Sequence, residues 1–426
     1  MTNVIISTLL LITFILFIVY IIKGGNLLVG FFLMTILWSI IGLVPLDTFM
    51  QKVIAEPALN YGPTIIYIVF GSWFGRVLVD SGIAASISRQ TEKVGRKAPV
   101  LAAILVVLVT ALIFSSAYGV GSVMAIGVIL IPIMLSIGIP KKIAIPAFTM
   151  AIGAPMYINV VLFNQIKVFF PSVSYSGQYL SFGIVAMIIQ LIGVVIFILL
   201  NRKAIENGTP EVIEGETDNV DNDVHVNRWT YVIPILPVAF NIIFKWDAIP
   251  SLVVSTILAM LMTHKMASWK GMLEFINSTT KKAINDISGL IFFLMALIMF
   301  VGAASVNVPH FKSIIEVIVP NSALVLALAI GILAPLALFR GPLHVWGAGA
   351  ATASVLAATG TFSPNLLLPL LYTASIMAVS IDLTQSWNTW ALDYSGLDAK
   401  TYLKMGIPVM WVVSIINTLV GYAFFG

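Results

Sequence analysis

The sequence predicts an all-α polytopic membrane protein with about ten transmembrane helices and two re-entrant hairpins. Of its 426 residues, 60% are hydrophobic and only 9% are charged, whereas soluble domains contain about 25% charged residues. Long apolar runs recur along the whole chain, and the two halves of the chain carry them in matching order. This composition excludes an ordinary soluble domain, a disordered chain and a nucleic-acid partner.

Residue usage also limits the chemistry that the chain can perform. The sequence has no Cys and only four His, so it contains no disulfide and no thiolate metal site. We see no pattern of metal ligands and no pair of a nucleophile with a base, and we therefore expect neither an enzyme nor a bound cofactor. Na⁺ remains a candidate as a coupling ion.

Ten apolar runs approach the length of about 20 residues that a helix needs to cross the hydrocarbon core. The first run lacks a basic leading region, which favours a membrane helix over a cleaved signal peptide. The runs cover residues 3–22, 26–44, 61–80, 143–169, 178–200, 229–244, 248–264, 285–305, 364–392 and 402–425.

Two further apolar runs, 98–138 and 321–358, contain a polar or glycine-containing interruption near the middle. Each arm has about 16–20 residues, which is at or below the length of a span. We interpret both runs as re-entrant hairpins, and full helix pairs remain the alternative because both return the chain to the same side.

Lysine and arginine predict the orientation. If the N-terminus lies outside and the spans alternate, most of the 22 Lys and Arg residues fall on the inside, as the positive-inside rule requires. We therefore expect a multi-pass protein of the plasma (inner) membrane with both termini outside. The acidic stretch 202–228 then becomes a cytoplasmic linker without apolar periodicity.

This linker separates two halves, 1–201 and 229–426, that we interpret as inverted-topology repeats. Each half makes five crossings and one hairpin, and an odd number of crossings turns the second half upside down. Inverted repeats are typical of secondary transporters. The matching segments are 61–80 with 285–305, hairpin 98–138 with hairpin 321–358, broken helix 143–169 with broken helix 364–392, and 178–200 with 402–425.

In the first half, polar or helix-breaking residues occur at membrane depth in the hairpin and in the helix that follows it. Such residues are tolerated in hydrocarbon only where they line a cavity or pack on protein. A small-residue packing face at the hairpin tip and a simple proline kink in the helix are the structural alternatives. The candidates for substrate binding are Ser115, Ser116, Tyr118 and Gly119 at the tip, and Gly153, Pro155, Asn159 and Asn164 in the helix, with Gln165 beside them.

The second half carries charge at the equivalent places. A guanidinium is a natural bidentate partner of a carboxylate, and a charge at depth is a functional candidate by default. The alternatives are a permanent pair between Arg340 and Asp382, an Arg340 that reaches the outer interface, and a purely structural His344. The candidates are Arg340, Gly341, His344, Thr384 and Gln385 for substrate, and Ser380, Asp382 and Asn159 for the coupling ion.

The order of these elements resembles the ion transporter superfamily. FGSWFGRVLVDSGIAASISRQ (70–90) is similar to the segment before the first hairpin of gluconate permeases, and SWNTWALDYSGLDAKTYLKMGIPVMW (386–411) is similar to their last helix pair. The citrate–metal symporters are a second relative. This resemblance implies a homodimer with a scaffold domain and an elevator-type transport domain, joined by amphipathic arms at 81–94 and 308–319.

These observations predict a secondary active transporter of a small organic anion, such as a sugar acid or a hydroxycarboxylate, coupled to H⁺ or Na⁺. Arg340 and the first hairpin tip would bind the carboxylate, and Asp382 would carry the coupling charge. A cation/proton antiporter of the same superfamily is the alternative, and an ion channel is a further one.

Overall fold

The computed structural model describes residues 2–23, 25–87, 98–175, 177–211, 226–318 and 320–426. These residues form helices and connecting turns, without a strand among them. Five of the described helices are long and apolar enough to cross a membrane, and the number rises to seven if each of two bent helix pairs counts as one span. The prediction of an all-α polytopic membrane protein is confirmed.

The first three apolar runs of the chain fold into helices before the first hairpin. A π-helical turn, Phe49–Ala55, joins two short helices, and the stretch Leu46–Asp80 is continuous. Pro63 does not break it, because a proline is tolerated in the first turn of a helix. The helices are α1 (Thr2–Ile22), α2 (Leu27–Ile41), α3 (Leu46–Thr48), α4 (Glu56–Asn60) and α5 (Gly62–Asp80).

The predicted hairpin 98–138 consists of helices α6 (Pro99–Phe114) and α7 (Val120–Ser136). The tight turn between them ends at Gly119, whose φ of +103° lies in a region that L side chains rarely adopt. The hairpin tip is therefore residues 115–119.

The predicted broken helix 143–169 is interrupted as expected. Helix α8 (Lys141–Gly153) gives way to a 3₁₀ turn, Ala154–Tyr157, and the chain resumes as α9 (Val160–Ile166). The two parts are bent by 72°. Pro155 stands in the first turn of the 3₁₀ segment, where it cannot continue the α-helical hydrogen bonding of α8.

The centre of the chain contains a helix that is longer than the sequence suggested. Helix α14 (Trp269–Ile318) runs for 50 residues, where we expected a span at 285–305 and a separate amphipathic arm at 308–319. The sequence of α14 changes from polar to apolar and back to polar, and neither boundary contains a residue that must end a helix. Pro309 is accommodated within α14. The preceding helices are α10 (Gly177–Leu200), α11 (Arg202–Glu206), a 3₁₀ segment (Arg228–Ile235), α12 (Leu236–Phe244) and α13 (Ala248–Met262).

The second hairpin is less regular than the first. Helix α15 bends by 53° into a 3₁₀ segment, Ala334–Arg340, and a series of turns leads to α16. The following broken helix is interrupted at residues 382–385, within the predicted polar stretch. The helices are α15 (Ala323–Ile332), α16 (Gly349–Thr359), α17 (Pro364–Ile381), α18 (Ser386–Ser395) and α19 (Ala399–Phe425).

The two broken helices form the core of the protein. Of the most apolar window in the stretch Pro364–Ser395, 94% is buried within the protein. The C-terminal ends of α8 and α17 pack closely against each other there. A Cβ atom placed on Gly153 would lie only 1.9 Å from Ser380 Oγ. The hydroxyl of Tyr372 donates to Met156 O at 2.6 Å and fixes α17 to the first break.

Helices α5 and α14, which the sequence paired as repeat equivalents, pack antiparallel beside this core. Lys282 near the start of α14 bonds to Asp80 at the end of α5 at 2.7 Å. Farther along α14, Gly302 lies against the backbone of Lys52, before α5 begins. The inverted relation of the two complete halves stays a prediction.

Parts of two predicted connectors lie outside the described residues. For the acidic linker these are residues 212–225, and for the arm predicted at 81–94 they are the residues from 88 onward. The described start of the linker is α11, and the backbone N–H of Glu211 then donates to Leu135 O at 3.1 Å. The linker therefore begins in contact with the end of the first hairpin.

Candidate binding site

A cavity of about 430 Å³ lies where both hairpin tips and both broken helices converge. A fifth element, α14, forms the opposite wall, with Asp286, Gly289, Leu290 and Phe293 on one helical face. The cavity residues that the sequence predicted are Tyr118, Gly119, Gln165, Arg340, Thr384 and Gln385. We call this space the central cavity.

The backbone around Arg340 holds its side chain in place. Phe339 and Arg340 both adopt left-handed conformations, with φ of +55° and +57°. Such conformations cost about 1–3 kcal/mol each and persist only where the surrounding structure holds them. Ala348 N–H donates to Arg340 O at 2.7 Å, and Arg340 N–H donates to Asp382 Oδ2 at 3.3 Å. The second hairpin tip is thus tied to the second break.

The guanidinium of Arg340 is buried and surrounded by uncharged groups. Its Nη1 donates to Trp346 O at 3.3 Å and lies 3.3 Å from His344 Nε2. Its Nη2 donates to Thr384 O and to Gln385 Oε1 at 3.2 and 3.1 Å. Within the described part of the chain no carboxylate oxygen lies within 4.0 Å of the guanidinium. The carboxylate of Asp382, which bonds to the backbone of the same residue, attracts it from a greater distance.

Asp382, which we predicted to carry the coupling charge, has both carboxylate oxygens engaged in hydrogen bonds. Its Oδ1 accepts Thr384 N–H at 2.9 Å, and its Oδ2 accepts both Thr384 Oγ1–H at 2.8 Å and the Arg340 amide. The residue is 1% exposed and is not among those that line the central cavity. These three bonds close the break after α17 and attach it to the hairpin tip.

Three buried hydrogen-bond donors around the central cavity have no acceptor among the described residues. They are Arg340 Nε, Gln165 Nε2 and Trp346 Nε1, and all three residues line the cavity. A buried donor without a partner costs about 1–3 kcal/mol. Oxygen atoms of a bound solute could satisfy these donors, and an anion is the solute that a cluster of donors beside an arginine favours.

The side chain of Asn159, a predicted ligand of the substrate and of the coupling ion, makes four hydrogen bonds within the protein. Asn159 is the N-cap of α9, where its Oδ1 accepts Val161 N–H and Leu162 N–H. Its Nδ2 donates to Phe114 O and Ala117 O, both at 3.1 Å. These four bonds attach the first broken helix to the first hairpin tip and leave the side chain no capacity for a ligand.

Asn164 lines another cavity, of about 520 Å³, together with Lys52, Glu56, Tyr61 and Lys167. Its Nδ2 donates to Val160 O at 2.8 Å within its own helix. We predicted that the neighbouring amides Asn164 and Gln165 belong to one site. In the structure Asn164 lines this second cavity, whereas Gln165 lines the central cavity.

The remaining candidates support the site from outside. The Ser115 hydroxyl donates to Leu112 O and Pro234 O, and Ser380 Oγ donates to Ile376 O and accepts Gln190 Nε2–H. His344 Nδ1 accepts Trp346 N–H at 3.1 Å, so this histidine shapes the tip beside Arg340. The candidates that are buried but are not among the cavity-lining residues are Ser115, Ser116, Gly153, Pro155, Ser380, Gly341 and His344.

Sequence reasoning missed Phe293, Asp286 and Trp346. The guanidinium carbon Cζ of Arg340 lies over the ring of Phe293, 6.0 Å from the ring centroid, in a cation–π arrangement. Nothing local marks it, since it stands in an unbroken apolar helix. Asp286 could have been found because it is a carboxylate at the edge of the apolar run 285–305. Trp346 could have been found because it follows His344 by two residues at the predicted hairpin tip.

The donor set does not suit a transition metal. The described residues include no group of three or more His, Cys, Asp or Glu that could hold a metal ion. The hydroxyl, amide and guanidinium groups of the central cavity instead suit a polar or anionic solute.

The fold and the site together define the class of this protein. It is a polytopic helical membrane protein in which hairpin tips and broken helices enclose a central cavity. No family model matches the sequence, and none of the curated proteins does. The solved structures that share the fold include a transporter and an efflux pump. The YdaH transporter of Alcanivorax borkumensis is 13% identical with a TM-score of 0.63, covering 93% of this chain and 97% of that one.

The second structure is MtrF of Neisseria gonorrhoeae, from a class described as antimetabolite efflux pumps. It is 12% identical, with a TM-score of 0.56, and the alignment covers 88% of this chain and 82% of MtrF. The chain therefore has the fold of a transporter and an efflux pump. The resemblance to gluconate permeases is not confirmed by either comparison and stays a prediction.

Proposed function

We propose that this protein is a secondary active transporter of a small organic anion. The observation that carries the proposal is the buried guanidinium of Arg340, which has no ion-pair partner within 4.0 Å among the described residues and lines a cavity together with two other residues that carry unpartnered donors. A buried charge without a close counter-ion is expensive, and a substrate carboxylate would supply a direct ion-pair partner. The fold that the chain shares with a transporter and an efflux pump supports transport as its general activity.

Recognition would centre on Arg340. Its Nη atoms are engaged by protein carbonyl and amide oxygens, which orients the plane of the guanidinium. Its unpartnered Nε is the free donor for a substrate oxygen, and Gln165 and Trp346 add two more donors. A sugar acid or hydroxycarboxylate has both the carboxylate and the hydroxyl oxygens to accept them.

Transport would proceed by movement of the hairpins and broken helices against α14. The central cavity lies between these two parts, so movement of one past the other would change the side from which it is reached. The antiparallel packing of α5 and α14 supports the inverted repeat that such a mechanism uses. Within this proposal the protein is an elevator-type homodimer of the gluconate permease kind in the plasma (inner) membrane, with both termini outside.

Coupling to H⁺ or Na⁺ would supply the driving force. A cation/proton antiporter that uses Asp382 is less well supported, because hydrogen bonds from Thr384 and Arg340 already engage both oxygens of that carboxylate. An ion channel has less need of two matching halves.

Uptake of radiolabelled gluconate and citrate into proteoliposomes tests the proposal. Wild-type protein should accumulate at least one of these anions under a pH or Na⁺ gradient, and Arg340→Ala should abolish uptake. Arg228→Ala, which removes an exposed arginine outside the cavity, is the matched control and should retain it. Full uptake by a folded Arg340→Ala variant would contradict the anion-binding role.

A further inference from the structure

We propose that Asp286, on the α14 wall of the central cavity, carries the coupling proton. This inference rests on the proposed transport function and deepens it by naming the residue that links anion to proton. Among the described residues that line the central cavity, Asp286 is the one carboxylate. The sequence had assigned the coupling role to Asp382, which does not line the cavity.

The hydrogen bonding of the two carboxylates explains the choice. Asp382 accepts three hydrogen bonds from Thr384 and Arg340, and a proton on it would displace one of these donors. Asp286 is in the opposite situation. Its Oδ2 is buried and has no donor among the described residues, so a proton can bind there without displacing a hydrogen bond.

The charged neighbours of Asp286 belong to α5 and α14. Arg76 Nε lies 4.0 Å from Asp286 Oδ2, and the same nitrogen lies 3.8 Å from Asp80 Oδ1. Lys282 Nζ donates to Asp80 Oδ2 at 2.7 Å. Asp80 is therefore the carboxylate that holds the two cations, and Asp286 is attached to the cluster only by one long ion pair.

This arrangement favours a proton over a metal cation at Asp286. A Na⁺ ion there would lie beside the guanidinium of Arg76, with Lys282 one turn away on the same helix. A proton transfers to Oδ2 as a covalent O–H and leaves a neutral carboxylic acid. The arginine then retains Asp80 as its partner.

The position of Asp286 also links the proton to the anion. Asp286 and Phe293 are seven residues apart on one face of α14, which corresponds to about 10 Å along the axis, and Phe293 contacts the Arg340 guanidinium. An anion bound at Arg340 would place negative charge in the same cavity and repel the Asp286 carboxylate. Anion binding would then favour proton binding, and by linkage the proton would favour the anion.

The proton balance is simple. The Asp286 carboxylate takes one H⁺ from the side to which the cavity is open, and the neutral acid remains on the α14 wall while the hairpins and broken helices carry the anion past it. When the cavity opens to the other side and the anion leaves, the acid releases the same H⁺. No electron transfer and no further reactant is required.

Infrared difference spectroscopy of the full-length protein in liposomes tests this assignment without a substrate. Wild-type protein should show a carboxylic acid C=O band that disappears as the pH is raised, because the neutral acid loses its proton. Asp286→Asn should remove the band, Asp286→Glu should shift its frequency, and Asp382→Glu should leave it in place. Persistence of the band in Asp286→Asn, a shift in Asp382→Glu, or no such band in wild-type protein would overturn the proposal.

Gluconate uptake separates this proposal from the proposed function. Arg340→Ala should remove uptake, whereas Asp286→Asn should remove the part of uptake that responds to a pH gradient. If no anion enters with wild-type protein, the transport proposal fails, and the infrared titration still decides whether Asp286 exchanges a proton. If uptake by Asp286→Asn keeps the wild-type response to the gradient, the coupling role is wrong and the anion site stands.

Discussion

The backbone N–H of Arg340, and not its guanidinium, binds the carboxylate of Asp382, with 3.3 Å between N and Oδ2. A permanent ion pair between these two side chains was the simplest alternative to a functional arginine. The observed contact instead makes Asp382 a clamp between the second hairpin tip and the second break. It leaves the guanidinium charge directed toward the central cavity without a carboxylate partner among the described residues.

Asp382→Asn should therefore lower stability. The carboxylate accepts three hydrogen bonds, and an amide would present N–H toward at least one of these donors. We expect a loss of about 1–3 kcal/mol, measured as a lower midpoint of thermal unfolding in detergent. Asp393→Asn, which changes an exposed acid on α18, is the control, and equal midpoints for the two variants would contradict the clamp.

Asn159→Ala and Asn164→Ala should differ sharply although the residues stand five positions apart. Asn159 makes four hydrogen bonds that cap α9 and hold the first tip. Its loss should cost at least about 2 kcal/mol. Asn164 makes one bond within its own helix, and its variant should unfold near the wild-type midpoint. The midpoint of thermal unfolding in detergent measures both variants. Similar midpoints would show that the four hydrogen bonds of Asn159 contribute little to stability.

Gly153→Ala should destabilise the contact between the broken helices. The added Cβ would lie 1.9 Å from Ser380 Oγ and 3.0 Å from Ser380 Cβ, and overpacking of this kind costs about 1–3 kcal/mol. Ser380→Gly in the same protein removes both atoms. A double-mutant cycle should therefore show a favourable coupling between the two changes, whereas additive effects would mean that the helices separate freely.

Gln165→Leu should weaken anion binding with little change in stability. The Nε2 donor has no acceptor in the described structure, so its removal breaks no hydrogen bond of that atom. If a substrate oxygen accepts from it, the lost bond should lower affinity about 5–10-fold. Uptake measured over a range of gluconate concentrations reports the change as a higher half-saturating concentration. Unchanged affinity would place the anion elsewhere in the cavity.

The sequence was sufficient to locate the interruptions of the helices. Gly119 and Pro155 mark the first tip and the first break because each restricts the backbone locally. The polar run at 382–385 marks the second break, since an apolar helix has no other reason to contain it. Arg340 was identifiable because a charge within an apolar hairpin needs an explanation.

The roles of individual side chains were harder to predict. An asparagine in a broken helix can cap the next helix or bind a solute, and only the contacts of Asn159 with Phe114 and Ala117 distinguish these. The α14 wall could not be predicted, because Asp286 and Phe293 reach the cavity through packing between segments distant in sequence. Helix α14 itself exceeded its predicted span since nothing between its polar and apolar parts breaks a helix.

Thermal stabilisation of purified protein by a panel of organic anions tests the central claim most directly. A ligand that binds only the folded state at 100 times its dissociation constant stabilises it by about 2.7 kcal/mol. We predict that at least one sugar acid or hydroxycarboxylate raises the unfolding midpoint of the wild type and does not raise that of Arg340→Ala. Equal stabilisation of both proteins, or of neither by any anion, would contradict an anion site at Arg340.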